Sequence, residues 1–390
     1  MKFPSVAGIV VVLLAIVVAA TSVFMFLQSS DELLGVKESA TQNVLSDTVK
    51  TPEVPIHNKL NNPPEIIRAV FVTGYSAGSK KYLDYLNTLF KTTEINAVVV
   101  DIKGSDGNVS YPGRIKNIDE LIKFFHDKNI YVIGRIAVFE DPVYSKANPA
   151  LAIYNKTLTT DVSKPILWED NNKLGWLDPA SKDVWDRTVS LARDALGHGF
   201  DEINFDYVRF PSDGATGDAG FPVYDGKTPK AEVIKSFFQY LRTNLAGKIS
   251  VDLFGQTTTN TDDMGIGQII ENAFENFDYV CPMVYPSHYV NGFMNFDNPA
   301  DHPYEIVNYS LYVALARENA VLIKSQVPAL VASPLARFRP WLQDFNMGAN
   351  YTADMVKLEI QATQDALKNN YNGFMLWNPS NIYTQEAILK

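Results

Sequence analysis

Residues 65–390 are predicted to form a closed (β/α)8 barrel, the TIM-barrel form of the α/β class. Segments with strand character alternate with segments of helical spacing along this whole region. Residues 95–101 form a nearly continuous apolar run, which is typical of a parallel strand that is buried on both faces. The alternation requires parallel pairing, because a crossover helix returns the chain to the same end of the sheet. Eight strands in about 325 residues fit one barrel with some long loops.

An open doubly wound sheet is the alternative arrangement of the same elements. Such a sheet would be expected to carry a glycine-rich phosphate loop directly after its first strand. The corresponding loop here, residues 74–78, lacks the full glycine spacing. The closed barrel is therefore the favoured architecture.

The positions of the strands follow from apolar runs and from alternation with a period of two. The eight strands are expected at residues 68–75, 95–101, 130–139, 202–208, 248–255, 277–286, 325–330 and 373–377. The helices follow from apolar positions three and four residues apart. They are expected at residues 79–92, 117–128, 181–196, 228–246, 266–277, 304–318 and 352–369. A long irregular section at residues 142–179 interrupts the pattern, and loops of this length are usually functional.

The N-terminal part of the chain precedes the barrel. Residues 6–27 carry no charged side chain and are mostly Val, Leu, Ile, Ala and Phe. At about 1.5 Å per residue this length spans a bilayer, so residues 1–28 are predicted to be a transmembrane helix that anchors the protein. A signal peptide cleaved near residues 19–21 is the alternative. Residues 29–64 are polar and rich in proline, which indicates a flexible linker. In both cases we expect residues 65–390 outside the cytoplasm, either membrane-anchored at the cell surface or in the periplasm, or secreted after cleavage.

Composition argues against several classes of function. The net charge is -10 and the pI is close to 5.1, whereas proteins that bind nucleic acid present basic faces. Cys281 is the single cysteine, which excludes a disulfide framework and a cysteine-rich metal site. None of the five histidines forms an HxH or HExxH pattern. We therefore expect no nucleic-acid partner, no metal and no cofactor.

The fourth predicted strand lies within residues 200–213, which concentrate polar side chains. Residues 202–208 alternate polar with apolar side chains, and Pro211 closes the strand because it cannot donate to a ladder. A carboxylate inside a strand is costly unless it is paired or faces a cavity. We therefore place Asp206 at the C-terminal mouth of the barrel with a catalytic role. Asp201, at the start of the strand, is expected at the opposite end with a structural role.

Active sites of (β/α)8 barrels collect side chains from the C-terminal ends of several strands. The catalytic candidates at this rim are Asp206 on the fourth strand, Asp252 on the fifth and Glu140 after the third. The substrate-binding candidates are Asp101, Arg135, Tyr207, Arg209, Tyr285, His288 and Trp377. Paired carboxylates with aromatic platforms are what hydrolysis of a sugar linkage requires. One carboxyl group protonates the leaving oxygen while the other attacks the anomeric carbon or activates a water, and sugar rings stack on Trp and Tyr.

The candidates also have structural interpretations. Asp206 could form an ion pair with Arg209 or Arg135, and Asp252 could likewise only pair with an arginine. Glu140 could simply open a turn. Asp101 could anchor a loop, and Tyr285 and Trp377 could belong to the core.

Three segments resemble a bacterial family of glycosyl hydrolases of unknown specificity. They are residues 201–211 (DEINFDYVRFP), 251–255 (VDLFG) and 278–286 (DYVCPMVYP). The resemblance covers about residues 66–383, which is essentially the whole barrel. It implies a TIM barrel in the broad group of glycoside hydrolases and points to Asp206 as the catalytic carboxylate.

A looser resemblance connects the chain with family 18 chitinases. The residues that fall on the acids of their DxxDxDxE motif are Asp201, Asn204 and Asp206. Residues 283–285 look like their strand-six M-x-Y motif. Val208, however, occupies the position of the proton-donating glutamate. The general acid is therefore expected on another strand, with Asp252 as the first candidate and Glu140 as the second.

The function that these observations favour is a glycoside hydrolase acting on a cell-envelope or extracellular polysaccharide by carboxylate acid–base chemistry. A carbohydrate-binding barrel without turnover is one alternative. A polysaccharide-modifying enzyme such as a deacetylase is another, and it would require a metal site that the sequence does not supply. Carboxyl groups of glycosidases lie about 5–5.5 Å apart for retention and roughly 6.5–9.5 Å apart for inversion. A structure without a second carboxylate within about 10 Å of Asp206 would favour the binding barrel.

Overall fold

Eight parallel strands close into a barrel. The computed structural model describes residues 59–324 and 335–390. The barrel strands are β1 (Ile67–Val72), β2 (Ala97–Lys103), β3 (Tyr131–Ala137), β4 (Glu202–Asp206), β5 (Lys248–Phe254), β6 (Tyr279–Met283), β7 (Arg337–Phe338 and Trp341–Gln343) and β8 (Gly373–Trp377). Each strand pairs in parallel with the next, and β8 pairs with β1. The prediction of a (β/α)8 barrel is confirmed.

Helices connect the strands and surround the barrel. In the described part of the chain they are α1 (Lys80–Thr92), α2 (Ile118–His126), α3 (Lys182–His198), α4 (Lys230–Asn244), α5 (Glu271–Phe274), α6 (Pro303–Lys324) and α7 (Ala353–Leu367). Two shorter helices, Gly74–Ala77 and Pro142–Ala147, lie in the loops after β1 and β3. The helix before β4 ends at His198, and Gly199 caps it in the left-handed conformation (φ 103°) that glycine adopts without strain.

The strands carry two apolar faces, as a side-chain period of two requires. On β1, Ala69 and Phe71 belong to the cluster inside the barrel, together with aromatic residues of β3, β6 and β7. Val70 and Val72 belong to the larger cluster that includes the helices. Polar side chains inside the barrel therefore stand out against an apolar interior.

Asp201 organises the end of the barrel opposite the predicted active site. Its carboxylate accepts hydrogen bonds from the backbone N–H groups of Leu60 and Val132, each at 2.8 Å. His126 at the end of α2 places its Nε2 atom 3.0 Å from the same carboxylate. Asp201 thus ties three segments together at the N-terminal end of β4, whereas Asp206 lies at the C-terminal end of that strand.

Strand β4 is shorter than the polar–apolar alternation predicts. It ends at Asp206, because Tyr207 has a left-handed backbone (φ 53°) that a strand cannot continue. Val208 follows as a fully buried side chain packed in the larger apolar cluster. The change of direction at Tyr207 separates the polar end of the strand from the chain that follows.

Strand β7 lies later in the chain than predicted. The predicted seventh strand at residues 325–330 falls outside the described residues. The seventh barrel position is occupied by Arg337–Phe338 and Trp341–Gln343. Pro340 lies between these two segments and has no N–H to donate, so it interrupts the ladder. The interruption leaves two short segments with no clear strand pattern in the sequence.

The predicted anchor at residues 1–28, and all but the last six residues of the linker at 29–64, lie outside the described residues. Among the helices of residues 59–324 and 335–390, none combines the length and apolar character needed to cross a bilayer. The anchor and its cleaved alternative both stay predictions.

Candidate active site

A single arginine joins the acidic side chains at the C-terminal rim of the barrel. Arg135 on β3 donates from Nη1 to Asp101 Oδ1 at 2.6 Å. It donates from Nη2 and Nε to Asp206 Oδ2, at 2.6 Å and 3.2 Å. Asp252 Oδ2 on β5 lies 4.0 Å from Arg135 Nε. One buried cation therefore lies among carboxylates from β2, β4 and β5.

The position of Arg135 limits the distance between the two main catalytic candidates. Asp206 Oδ2 is 3.2 Å and Asp252 Oδ2 is 4.0 Å from the same Arg135 Nε atom. The sum of these two distances, 7.2 Å, is the upper limit on the separation of the two oxygens. A second carboxylate thus lies well within the range of about 10 Å that two-carboxylate hydrolysis requires.

Asp206 accepts three hydrogen bonds at the rim. Besides the two Arg135 contacts at Oδ2, its Oδ1 atom accepts the backbone N–H of Tyr207 at 2.6 Å. Each of these donors interacts better with a carboxylate than with a neutral carboxyl group. Asp206 is therefore held in place at the rim by a cation and a backbone N–H group.

Asp252 lies in a different environment from Asp206. Its Oδ1 atom accepts hydrogen bonds from Asn204 Nδ2 and from Trp341 Nε1, each at 2.8 Å. Its Oδ2 atom is buried and has no hydrogen-bond partner in the described part of the chain. Burial raises the pKa of Asp252 well above its usual value, and the neighbouring charge of Asp206 raises it further. Asp252 is thus equipped to hold a proton.

A cavity of about 340 Å³ opens above these carboxylates. Its polar lining is formed by Arg135, Asp206, Arg209, Asp252, Gln256 and His288. Its aromatic lining is formed by Tyr207, Phe254, Tyr285, Tyr289, Trp341 and Trp377. A concave site with an aromatic wall and a few convergent polar groups is the usual form of a small-molecule or saccharide site.

Part of the aromatic wall is one connected group of rings. Tyr285 lies 5.9 Å from Trp377, 5.7 Å from Phe345 and 5.2 Å from His288, measured between ring centroids. Trp377 is half-buried and packs edge-on against Phe345. His288 is exposed at the edge of the group, where its Nδ1 atom lies 3.0 Å from Ser287 Oγ. These rings offer a platform on which a sugar face can stack.

The sequence profile of a family described as "Putative glycosyl hydrolase domain" matches residues 69–383. The match spans the barrel from β1 to beyond β8. The chain belongs to this family.

Three solved structures are similar to this chain to different extents. The PgaB (BpsB) glycoside hydrolase domain from Bordetella bronchiseptica is similar with a TM-score of 0.55 and 14% identity, over 81% of this chain and 95% of that one. A hypothetical protein from Ruminiclostridium thermocellum is 39% identical over 47% of this chain and 96% of that one, with a TM-score of 0.41. The α-galactosidase TtGalA from Thermus thermophilus, solved with stachyose, covers 83% of this chain and 64% of that one, at 12% identity and a TM-score of 0.48. In a sequence search, no curated protein matches the chain.

The similarity to the Bordetella domain agrees with the barrel fold of this chain. At 14% identity, the Bordetella structure supports a shared barrel and nothing about individual residues. The resemblance to family 18 chitinases stays a prediction.

The structure brings most of the predicted site residues of this family member together. Those that line the cavity are Asp206, Asp252, Arg135, Tyr207, Arg209, Tyr285, His288 and Trp377. Asp101 contacts Arg135 but does not line the cavity. Burial raises the pKa of Asp101, while Arg135 opposes that shift. Its contacts make it a support for the arginine.

Glu140 lies beside the site and does not line the cavity. Its side chain is buried, and its backbone oxygen accepts a hydrogen bond from the buried Lys103 Nζ at 3.1 Å. Burial raises the pKa of Glu140 to about 8, with Asp170 adding to the shift and Arg209 opposing it. The raised pKa of Glu140 therefore suits a general acid, but its side chain does not line the cavity.

Sequence reasoning missed two residues that hold Asp252. Trp341 belongs to β7, which had been placed elsewhere, so nothing indicated that its indole reaches the rim. For Asn204, the sequence indicated only a polar residue of the fourth strand at a position that matches an acid of the chitinase motif, and no contact with Asp252. A signal was available for Asn204, because it is two residues before Asp206 and therefore faces the same side of β4.

Proposed function

We propose that the barrel is a glycosidase that hydrolyses O-glycosyl bonds of a polysaccharide outside the cytoplasm, in the cell envelope or in an extracellular matrix. One observation carries the proposal. Asp206 and Asp252 line the same cavity, close to the same Arg135 Nε atom, in different hydrogen-bonding environments, and burial raises the pKa of Asp252. A glycosidase needs at least two carboxyl groups at one cavity, one that donates a proton and one that acts as nucleophile or base.

The proposed division of roles follows from those environments. Asp252 donates its proton to the glycosidic oxygen as the C1–O bond breaks, so that the leaving sugar departs as an alcohol. Asp206 either attacks C1 or removes a proton from the water that attacks C1. Arg135 holds the carboxyl group of Asp206 in place for this step.

Three further observations support a carbohydrate substrate. The family is described as a glycosyl hydrolase domain, and the Bordetella domain that shares the barrel is titled a glycoside hydrolase domain. The ring group around Tyr285 and Trp377 provides an apolar platform at the cavity wall. An extracytoplasmic substrate is proposed from the apolar residues 6–27, whether they anchor the protein or are cleaved.

The test is a product screen of the full-length protein on a panel of bacterial polysaccharides. Wild type is compared with Asp206→Asn and Asp252→Asn, and each variant is checked for an unchanged melting temperature. Asp354→Asn, at an exposed position on α7, is the matched control because it removes an equivalent charge that does not line the cavity. Product from wild type and from the control, with loss of about 10²-fold or more in the two site variants, is the expected result.

The same screen separates the alternatives. Retained binding of a glycan without product from any form of the protein would favour the carbohydrate-binding barrel. Product that is lost in Glu140→Gln and kept in Asp252→Asn would transfer the role of the acid to Glu140.

A further inference from the structure

Arg209 is a buried cation that the proposed mechanism does not use. It lines the cavity and is only 7% exposed. Its guanidinium group is held between rings, 4.8 Å from the centroid of Trp176, 4.7 Å from that of Phe254 and 5.3 Å from that of Tyr207. Such stacking fixes the plane of the guanidinium group and leaves its edges free to make hydrogen bonds.

One edge of this guanidinium group makes no hydrogen bond to the described residues. Nη1 donates to the backbone oxygen of Phe210 at 3.2 Å. Nε and Nη2 donate no hydrogen bond to any residue of 59–324 or 335–390. Neither atom is among the fully buried polar atoms that lack a partner, so both are in contact with the open space beside them. Arg209 therefore presents two N–H donors, side by side, to the cavity.

The described part of the protein supplies no direct counter-ion for Arg209. The charge of Arg135 is matched by Asp101 and Asp206, with N–O distances of 2.6 Å. No carboxylate oxygen of the described residues comes within 4.0 Å of Arg209. Burial lowers the pKa of Arg209 although Tyr207, Asp206 and Glu140 oppose that shift. A buried cation without a direct counter-ion is expected to be stabilised by an anion that enters with a ligand.

We propose that Arg209 is a specificity-determining residue that binds the carboxylate of an acidic sugar. The two free donors on one edge match the two oxygens of a planar carboxylate. A monoanion suits the site better than a phosphate dianion, because Arg209 is the one arginine lining the cavity that is not already paired. This inference rests on the proposed glycosidase function and names its substrate class as an acidic polysaccharide, with the charge on either a uronic acid or a lactyl ether.

The experiment measures the binding of free monosaccharides to the full-length protein by titration calorimetry or ligand-observed NMR at low salt. Free sugars have no glycosidic bond, so binding is separated from turnover. Glucuronic acid is compared with glucose, and N-acetylmuramic acid with N-acetylglucosamine, so that each pair differs in the presence of a carboxylate. Glucose 6-phosphate tests the competing anion.

The expected result is a preference of about 10-fold or more for an acidic sugar over its neutral partner, since a hydrogen-bonded charge pair has this size. Arg209→Gln should abolish the preference, because it weakens the binding of the acidic sugar more than the binding of the neutral sugar. Arg209→Lys should keep part of it, because lysine retains the charge without the two-donor edge. Arg193→Gln, remote from the cavity on α3, is the matched arginine control. The acidic sugar that shows the preference identifies the source of the carboxylate.

Several outcomes would overturn the inference: equal binding of acidic and neutral sugars, a preference that survives in Arg209→Gln, tighter binding of the phosphate, or no binding of any sugar. If Arg209→Gln fails to fold, the Arg209→Lys result decides in its place. A purely structural arginine would weaken binding of both members of each pair equally. Carboxylate-dependent binding without hydrolysis of any glycan would contradict the proposed glycosidase function and leave the inference about Arg209 intact. Hydrolysis of a glycan without a preference for acidic sugars would support the proposed function and contradict the inference.

Discussion

Replacing Arg135 by glutamine removes the cation that Asp101 and Asp206 share. Both carboxylates are only 8% exposed, and Arg135 donates three hydrogen bonds to them. Removing one partner of a buried ion pair costs about 3–5 kcal/mol, because it leaves an uncompensated charge in the interior. At an unfolding entropy of roughly 2.1 cal/mol/K per residue over roughly 320 residues, this loss lowers the melting temperature by about 4–7 °C.

The destabilisation by Arg135→Gln should depend on pH in a defined direction. Burial already raises the pKa of Asp101 with the arginine present, and removing the arginine raises it further. A carboxyl group whose pKa is raised in the folded state contributes stability that is present below its unfolded pKa and lost as pH rises through its folded pKa. The difference in melting temperature between variant and wild type should therefore be larger at pH 8 than at pH 5.

The assay is thermal unfolding of the full-length protein at both pH values, followed by circular dichroism or calorimetry. Arg114→Gln is the control, because the ion pair of Arg114 with Asp106 is partly exposed and should contribute less than about 1 kcal/mol. A melting temperature for Arg135→Gln that matches Arg114→Gln at pH 8 would refute the reasoning. So would a deficit of equal size at pH 5 and pH 8.

Three further predictions concern the acid and the barrel. Hydrolysis should decline as pH rises through the raised pKa of Asp252, since the acid must be protonated, and a pH profile of kcat/KM that keeps rising to pH 9 would exclude that role. Trp341→Phe removes an N–H that stabilises ionised Asp252, so the alkaline limb of the pH profile of kcat/KM should move to higher pH. A limb that does not move would argue for another acid. Gly373→Ala should destabilise by about 3 kcal/mol or more, because φ is 99° and the new Cβ would meet Ile67 O at 1.8 Å. Gly217→Ala, with open space around it, should stay within about 0.5 kcal/mol, and equal melting temperatures for the two variants would contradict the argument.

Most of the barrel could be predicted because its strands are buried on both faces. The apolar run of β2 and the alternation in β4 each point to a strand without reference to the rest of the chain. Strand β7 could not be found in this way, since its ladder is divided at Pro340 into segments of two and three residues. Its place is fixed by long-range pairing with β6 and β8, which a local pattern does not contain.

The sequence predicted which residues form the site better than it predicted the contacts between them. Carboxylates at strand ends are expected at the rim, and Asp206 and Asp252 both line the cavity there. The sequence left open whether Asp206 pairs with Arg135 or Arg209. Register decides this, because residues of β3 and β4 are neighbours and the side chain of Arg135 reaches the next strand, whereas Arg209 follows the turn at Tyr207 and stacks on rings.

The contrast between Asp206 and Asp252 has its origin in a single strand. Asn204 and Asp206 are two residues apart on β4 and share a face, so one strand contributes both the anion and a donor that holds the neighbouring carboxyl group. Asn204 and Trp341 both bind Oδ1 of Asp252, while Arg135 directs its closer contacts to Asp206. Among the described residues Oδ2 of Asp252 has no hydrogen-bond partner, so a proton on this carboxyl group is expected on that buried oxygen. With Val208 buried in the core, we propose that the acid is Asp252 of β5 and that Asn204 of β4 positions it.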